Sequence, residues 1–239
     1  MNRELTIVEH LGELRKRIII SLSALGAMTL FSLPFASGLL KILKFPAKGV
    51  IDRLVFFSPE EGFLIYMRIG VLCGFILSLP VILYQVWGFC SPAMEERVRK
   101  HSALFVAFCF VSFILGAIFA YFLLLPPSLK FLLSFAKDDL EPVISAGKYI
   151  SFITGIIFAS GLVFQMPVLS FILARLGVIN ARILRQKYKY AIVIIFIVSA
   201  VITPTPDAFN MSLLALPMIC LYEISIWVTG LAKPRLNVA

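Results

Sequence analysis

Long stretches without a charged side chain dominate this chain and limit what it can fold into. A helix needs about 20 apolar residues to cross the roughly 30 Å hydrocarbon core of a bilayer. With 60% hydrophobic and 15% charged residues, and a mean hydropathy of +0.98, the chain holds more apolar surface than a soluble domain can bury. These proportions exclude a soluble globular domain and a disordered chain, and they favour the bilayer as solvent. The charge-free stretches are 18–40, 69–94, 102–129, 149–174, 190–206 and 208–222.

The stretches predict an all-α integral membrane protein with six transmembrane helices, the first of them a retained span and not a cleaved signal. The whole chain, 1–239, is predicted to form this single domain. The long segments 37–63 and 126–148 carry prolines and amphipathic stretches, which predict short interfacial helices and turns over the outer face. The link TPTPD joins the last two spans and predicts a tight antiparallel hairpin. After trimming at turn residues, the predicted spans are 18–37, 64–86, 103–125, 149–173, 188–203 and 208–229.

The distribution of basic residues predicts the orientation of these spans. With both termini inside, the inner segments hold 14 Lys and Arg residues and the outer segments hold 7. Cytoplasmic segments of membrane proteins carry this excess. We therefore expect a multi-pass membrane protein with both termini in the cytoplasm. The net charge of +9 then reflects cytoplasmic loops and not a nucleic-acid partner.

The sequence contains none of the common motifs of enzymes or cofactor sites. No phosphate-binding loop, HExxH, GxSxG or dinucleotide fingerprint occurs in it. The four cysteines form no CxxC pair, and the only histidines are His10 and His101. We therefore predict no catalytic residue, no cofactor, no metal site and no enzymatic activity.

Acidic residues cluster in the predicted cytoplasmic segments. Glu9 and Glu13 are four residues apart and share one helix face, and Glu95 and Glu96 follow the second span. Carboxylates beside a membrane surface can bind a cationic ligand, and a pair of them suits the guanidinium fork. The alternative is pairing within each segment, as between Glu13 and Arg17, which are also four residues apart.

A few polar residues lie within or beside the predicted spans. Gln165 lies in mid-span, two residues before Pro167, which should kink or loosen the helix; the simplest partner for its amide is a neighbouring helix or a freed carbonyl. Glu223 lies close to the inner end of the last span, where a carboxylate is costly and is a functional candidate. Asp207 suits an N-cap of that span, and Trp87 suits an interface anchor.

Eight motifs occur in one order over nearly the whole chain, and together they resemble the TatC family, the six-span core of the twin-arginine protein translocase. The resemblance implies a cytoplasmic receptor for signal peptides with two consecutive arginines. It also implies export of folded proteins with single-span TatA-type and TatB-type subunits, self-association, and the proton-motive force as the energy source. The motifs are HLGELRKR at 10–17, SPEEGF at 58–63, LPVILYQVWGFCSPAM at 79–94, GAIFAYFLLLP at 116–126, YISF at 149–152, FQMPV at 164–168, TPTPD at 203–207 and ALPMICLYEI at 215–224.

The resemblance assigns roles to particular residues. The family's second signal-binding glutamate falls on Val98 without a gap and on Glu96 with a two-residue gap; we assign Glu96, with Glu95 as a substitute. The family usually has Glu where this chain has Gln165, so a role that needs a charge there lacks support. The implied signal-peptide site is Glu9, Glu13, Arg15, Arg17, Phe89, Glu95 and Glu96, and the implied structural or assembly residues are Pro46, Gln165, Asp207 and Glu223.

Two other classes of protein remain as alternatives. A proton-coupled secondary transporter of a small solute would need an ionic site at a broken helix near the membrane midplane, and only Gln165 with Pro167 hints at one. A structural scaffold without ligand recognition would tolerate neutralisation of the cytoplasmic glutamates.

Overall fold

A computed structural model of the chain describes residues 7–48, 51, 54–90, 102–134, 143–203 and 207–231, and these are almost entirely helical. Short 3-10 turns at Leu33–Phe35 and Phe45–Ala47 flank the second helix, and a π-type turn at Ala120–Leu124 joins the fourth helix to the fifth. The helices are α1 (Ile7–Ser32), α2 (Ala36–Lys44), α3 (Pro59–Cys90), α4 (Ser102–Phe119), α5 (Leu125–Ser134), α6 (Ala146–Val163), α7 (Met166–Arg175), α8 (Ala181–Gln186), α9 (Tyr188–Ile202) and α10 (Ala208–Leu231).

Five segments of the described chain are long and apolar enough to cross a membrane. The remaining predicted span, 188–203, coincides with α9, which has 15 residues and a length of about 22 Å. This length is less than the roughly 30 Å hydrocarbon core. The five candidate spans are Leu11–Ala47, Pro59–Phe89, Ser102–Ser134, Ala146–Arg175 and Ala208–Leu231.

Small residues let the long helices approach closely. A Cβ on Gly74 of α3 would lie 2.5 Å from the Cα of Thr29 in α1, and Ser32 donates a hydrogen bond to the carbonyl of Gly70 at 2.8 Å. Close contact of this kind replaces the hydrophobic effect as the force between helices in lipid. The α1–α3 pair therefore makes the most extensive helix–helix contact among the described residues.

The spans alternate in direction, so each end of the bundle has its own set of elements. The end with α2, α5 and the first turns of α3 and α6 is called the cap end. The end with residues 11–17 of α1, the last turns of α3 and α7, and α8 is called the basic end. The hairpin of α9 and α10 turns at the cap end, and Ser199 donates to the carbonyl of Met211 at 2.6 Å within it.

The cap end contains a small element that the sequence analysis did not predict. Strands β1 (Leu54–Val55) and β2 (Ile144–Ser145) pair in parallel, with Leu54 opposite Ile144. Two-residue strands have no recognisable hydrophobic alternation, so the pattern that predicts strands is missing here. Short helices are present in both predicted segments, as α2 and α5, and Pro46 is buried in the 3-10 turn after α2.

Glu61 connects the two halves of the cap end. It is 9% exposed and lies in the first turn of α3. Its Oε1 accepts hydrogen bonds from the amide of Gly147 at 2.7 Å and from the hydroxyl of Ser145, and its Oε2 accepts from the amide of Phe57 at 2.7 Å. A carboxylate at the N-terminus of α6 is also favoured by the helix dipole. Glu61 thus caps α6 from α3.

Candidate functional site

Glu13 and Arg17 form an ion pair on α1 at the basic end. Arg17 Nε donates to Glu13 Oε1 at 3.0 Å, and Arg17 Nη2 donates to the same oxygen. The side chains are 22% exposed for Arg17 and 28% for Glu13, so the pair is only partly solvated. The alternative that Glu13 pairs with Arg17 of its own helix is therefore confirmed.

Arg17 also reaches across to α3. Its Nη1 lies 3.4 Å from both the backbone carbonyl and the side-chain oxygen of Gln85. A Cβ on Gly88 would lie 2.1 Å from the same Nη1, so the guanidinium occupies the space that a side chain would fill. A cation beside the last turn of a helix is stabilised by the helix dipole. Arg17 therefore fixes Glu13 to the end of α3.

The other residues of the implied signal-peptide site are only partly described. Arg15 is exposed on α1, and Phe89 is half-buried in the last turn of α3. Glu9 belongs to α1, one turn before Glu13, but the structure does not describe its side chain. Glu95 and Glu96 lie outside the described residues. The structure therefore brings Glu13, Arg17 and the end of α3 together and leaves the second glutamate a prediction.

A satellite apolar cluster supports the end of α3. Trp87 is 3% exposed and stacks on Phe105 of α4, with 4.1 Å between ring centroids. Ile172 and Leu176 complete the cluster from the end of α7. The prediction of Trp87 as an interface anchor is wrong, because packing between helices buries its ring.

Gln165 lies where the fourth predicted span is interrupted between α6 and α7. Its Nε2 donates to the carbonyl of Cys109 on α4 at 3.0 Å, and Ser112 donates to the carbonyl of Phe164 at 2.7 Å. Pro167 is in the first turn of α7, where a missing amide hydrogen is tolerated. The expected bond between the amide and a neighbouring helix is confirmed, and it is a neutral contact.

Glu223 joins α10 to α8 at the basic end. Arg185 Nη1 donates to both of its carboxylate oxygens, at 2.9 and 3.1 Å, and Tyr222 donates to the carbonyl of Leu184 at 2.8 Å. The Glu223 side chain is 34% exposed. These contacts give the carboxylate a structural partner and hold α8 against the last span.

Asp207 caps α10 at the opposite end. Its Oδ1 accepts from the backbone amide of Asn210 at 2.7 Å, and its Oδ2 accepts from the Asn210 side chain at 2.9 Å. The predicted N-cap is confirmed. Asn210 is 3% exposed, so this cap is buried within the hairpin.

No group of three or more His, Cys, Asp or Glu side chains within the described ranges is placed to hold a metal ion. A half-exposed carboxylate held at a fixed position beside a membrane suits recognition of a cation.

Long apolar helices are typical of a membrane-embedded protein. Comparison with known proteins identifies its class as a component of a protein translocase. A family model for "Sec-independent protein translocase protein (TatC)" matches residues 9–217. The chain belongs to the TatC family, whose members are translocase subunits and not enzymes.

Relatives match over nearly their full length. TatC of Carboxydothermus hydrogenoformans is 36% identical over 98% of this chain and 96% of that protein. TatC of Aquifex aeolicus is 38% identical over 96% of each chain. A crystal structure of the "Twin Arginine Translocase Receptor- TatC" superimposes with a TM-score of 0.83 at 38% identity, covering 94% of this chain and 99% of that one.

Proposed function

We propose that this chain is the receptor and core subunit of a twin-arginine translocase. It binds signal peptides with two consecutive arginines at the basic end and nucleates the complex that exports folded proteins, driven by the proton-motive force. The observation that carries this proposal is the carboxylate of Glu13, held at the end of α3 by Arg17. The proposal is also supported by the crystal structure of a TatC that shares this fold and is described as a twin-arginine translocase receptor.

The geometry of Glu13 suits a second guanidinium. Both bonds from Arg17 go to Oε1, and no donor among the described residues bonds Oε2. An ionised carboxylate has about four lone-pair sites, so Oε2 can accept from an incoming arginine without displacing Arg17. Arg15 and Phe89 would contact the peptide around its arginine pair. Glu96 would bind the second arginine, with Glu95 as its substitute and Glu9 beside Glu13.

Recognition of arginine over lysine follows from the shape of the two cations. A guanidinium presents a planar fork of donors that can contact two carboxylates at once, whereas an ammonium is a compact and strongly hydrated charge. Each exposed ion pair is worth at most about 1 kcal/mol. Partial burial, as at Glu13, and a forked geometry increase that contribution.

The proposed orientation places the basic end in the cytoplasm of a prokaryotic cell, with the cap end at the outer face of the inner membrane. Exposed Arg and Lys residues at the basic end support this, because cytoplasmic segments carry such an excess. With this orientation α9 also crosses the membrane. The total is then six crossings, and both termini lie in the cytoplasm. A helix this short is accommodated by local thinning of the bilayer.

The hairpin of α9 and α10 is the proposed docking site for the single-span TatA-type and TatB-type subunits. The described residues of α9 present an apolar face that is open to lipid: Val193, Ile194 and Ile197 are each 58% exposed, and Val201 is 80% exposed. A partner helix would bury this face. Asp207 and Glu223 would support docking indirectly, by holding the two ends of α10.

Charge reversal tests the receptor proposal. Glu13→Lys and Glu96→Lys should each abolish binding of a labelled twin-arginine peptide to the purified protein in detergent. Glu60→Lys is the matched control, since it makes the same charge change on an exposed residue at the cap end. Unchanged binding by both reversed variants would refute the receptor function.

Crosslinking tests the docking face separately. Crosslinks from α9 to the single-span partners should form in the wild-type protein and should be lost in Ile194→Asp.

A further inference from the structure

We propose that the cap end holds a binding site for an anionic phospholipid of the adjacent leaflet, in a groove between α2 and β1. The groove has a volume of about 340 Å³. This volume lies within the roughly 300–1,000 Å³ that is typical of small-molecule sites. Three lysines and several apolar side chains line it, among them Lys41, Lys44, Lys48, Phe45, Ile51 and Leu54. The proposal is independent of signal-peptide binding at the opposite end.

The three lysines concentrate positive charge on one side of the groove. Lys41 and Lys44 are three residues apart on one face of α2, and Lys48 follows the 3-10 turn at its end. All three are exposed, and none forms an ion pair with a carboxylate in the described part of the chain. Like charges at this spacing repel one another. An anion shared among them would remove that repulsion.

The end of α2 does not require these lysines for its own hydrogen bonding. Cations often lie in the last turn of a helix to satisfy its free carbonyls. Here Tyr121 donates to the carbonyl of Ile42 at 2.7 Å, and Tyr149 donates to the carbonyl of Leu43 at 2.9 Å. The carbonyls are therefore bonded by hydroxyl groups from other helices, and the ammonium groups remain available to a ligand.

The groove is preformed by the surrounding structure. The two tyrosines fix the end of α2, and the amide of Ile51 donates to the carbonyl of Ala47 at 3.0 Å. On the opposite wall, Leu54 is held by the pairing of β1 with β2. A preformed site loses little conformational entropy when a ligand binds.

The apolar part of the groove selects a phospholipid over a free phosphate ion. Phe45 lines the groove and is 60% exposed, and Ile51 and Leu54 add apolar surface to the same groove. An amphipathic helix that follows a membrane span lies at the level of the lipid headgroups. A phosphodiester would contact the ammonium groups while the glycerol and upper acyl chains contact the apolar wall.

Lipid binding to the full chain tests the site. The detergent-solubilised protein is titrated with phosphatidylglycerol or with zwitterionic phosphatidylcholine, and bound lipid is counted by native mass spectrometry. We expect one tightly bound phosphatidylglycerol in preference to phosphatidylcholine. Each lysine near an anionic headgroup contributes about fivefold to affinity, so Lys44→Gln/Lys48→Gln should reduce the preference about 25-fold.

The control variant is Lys130→Gln/Lys148→Gln, which removes two exposed lysines from the same end but outside the groove. It should change the preference less than about twofold. An equal loss in both double variants would show diffuse attraction and overturn the proposal. Displacement of the lipid by an equal concentration of inorganic phosphate would overturn the phospholipid assignment. Both variants should still bind the twin-arginine peptide, which separates this result from failure of the receptor function.

Discussion

At the residue scale, Arg17 has two contacts that determine how Glu13 acts. The pairing with Glu13 could be predicted from their spacing of four residues. The contacts with Gln85 and the space left by Gly88 could not, because these residues are about 70 positions away in sequence and meet only when α1 packs on α3. We infer that Arg17 positions the carboxylate and does not compete for it.

The sign of the effect of Arg17→Gln distinguishes positioning from competition. If Arg17 positions Glu13, its loss should weaken binding of the twin-arginine peptide about tenfold, the magnitude of a charged hydrogen bond. Lys16→Gln removes the same charge from the neighbouring exposed position and should have little effect. Fluorescence anisotropy of a labelled peptide measures both. Tighter binding by Arg17→Gln would mean that Arg17 competes with the peptide.

Gly88→Ala tests the same contact without changing any charge. The added Cβ would overlap the guanidinium, so Arg17 must shift away from the end of α3 and would no longer hold Glu13 there. Affinity for the twin-arginine peptide should fall about tenfold, with little further loss when Arg17→Gln is added. Gly26→Ala is the matched control, because nothing lies within 4 Å of its added Cβ. Wild-type affinity in Gly88→Ala would contradict the positioning role.

At the element scale, hydropathy and prolines predict most of the helices, while the connections at the cap end have no comparable signal. The apolar runs mark the long helices, and Pro167 marks the interruption between α6 and α7. The β1–β2 pair and the cap of α6 by Glu61 depend on two loops that meet only in the folded bundle. The motif SPEEGF contained Glu61, but nothing in it distinguishes Glu61 from Glu60.

Replacement of Glu61 tests whether the cap end depends on this carboxylate. Glu61→Gln removes an oxygen acceptor and places an amide NH2 group next to backbone donors. We expect the midpoint of thermal unfolding in detergent to fall by about 3–8 °C. Glu60→Gln changes the exposed neighbour in the same helical turn and should leave the midpoint unchanged. Equal midpoints for the two variants would show that Glu61 is not a structural cap.

At the scale of the whole molecule, the number of membrane crossings depends on α9. The distribution of Lys and Arg predicts which end lies inside, but a 15-residue apolar helix is too short for length alone to establish a crossing. Packing of α9 against α10 in an antiparallel hairpin supports a sixth span. A bilayer that adapts to the short helix is a property of protein and lipid together.

Cysteine labelling from the two sides of the membrane tests this topology. In a variant without the native cysteines, Arg182→Cys and Lys16→Cys should react only with a membrane-impermeant reagent on the cytoplasmic side. Lys148→Cys and Ala208→Cys should react only from the outer side. Labelling of Ala208→Cys and Arg182→Cys from the same side would show that α9 does not cross the membrane.

The most direct test of the receptor function is a coupling measurement between the peptide's arginines and Glu13. Affinities of a twin-arginine and a twin-lysine peptide are measured for the wild-type protein and for Glu13→Gln. We expect the wild type to prefer the arginine peptide by about tenfold, and Glu13→Gln to lose most of that preference because the fork loses its charged acceptor. An equal preference in both proteins would contradict recognition of the arginine pair by Glu13.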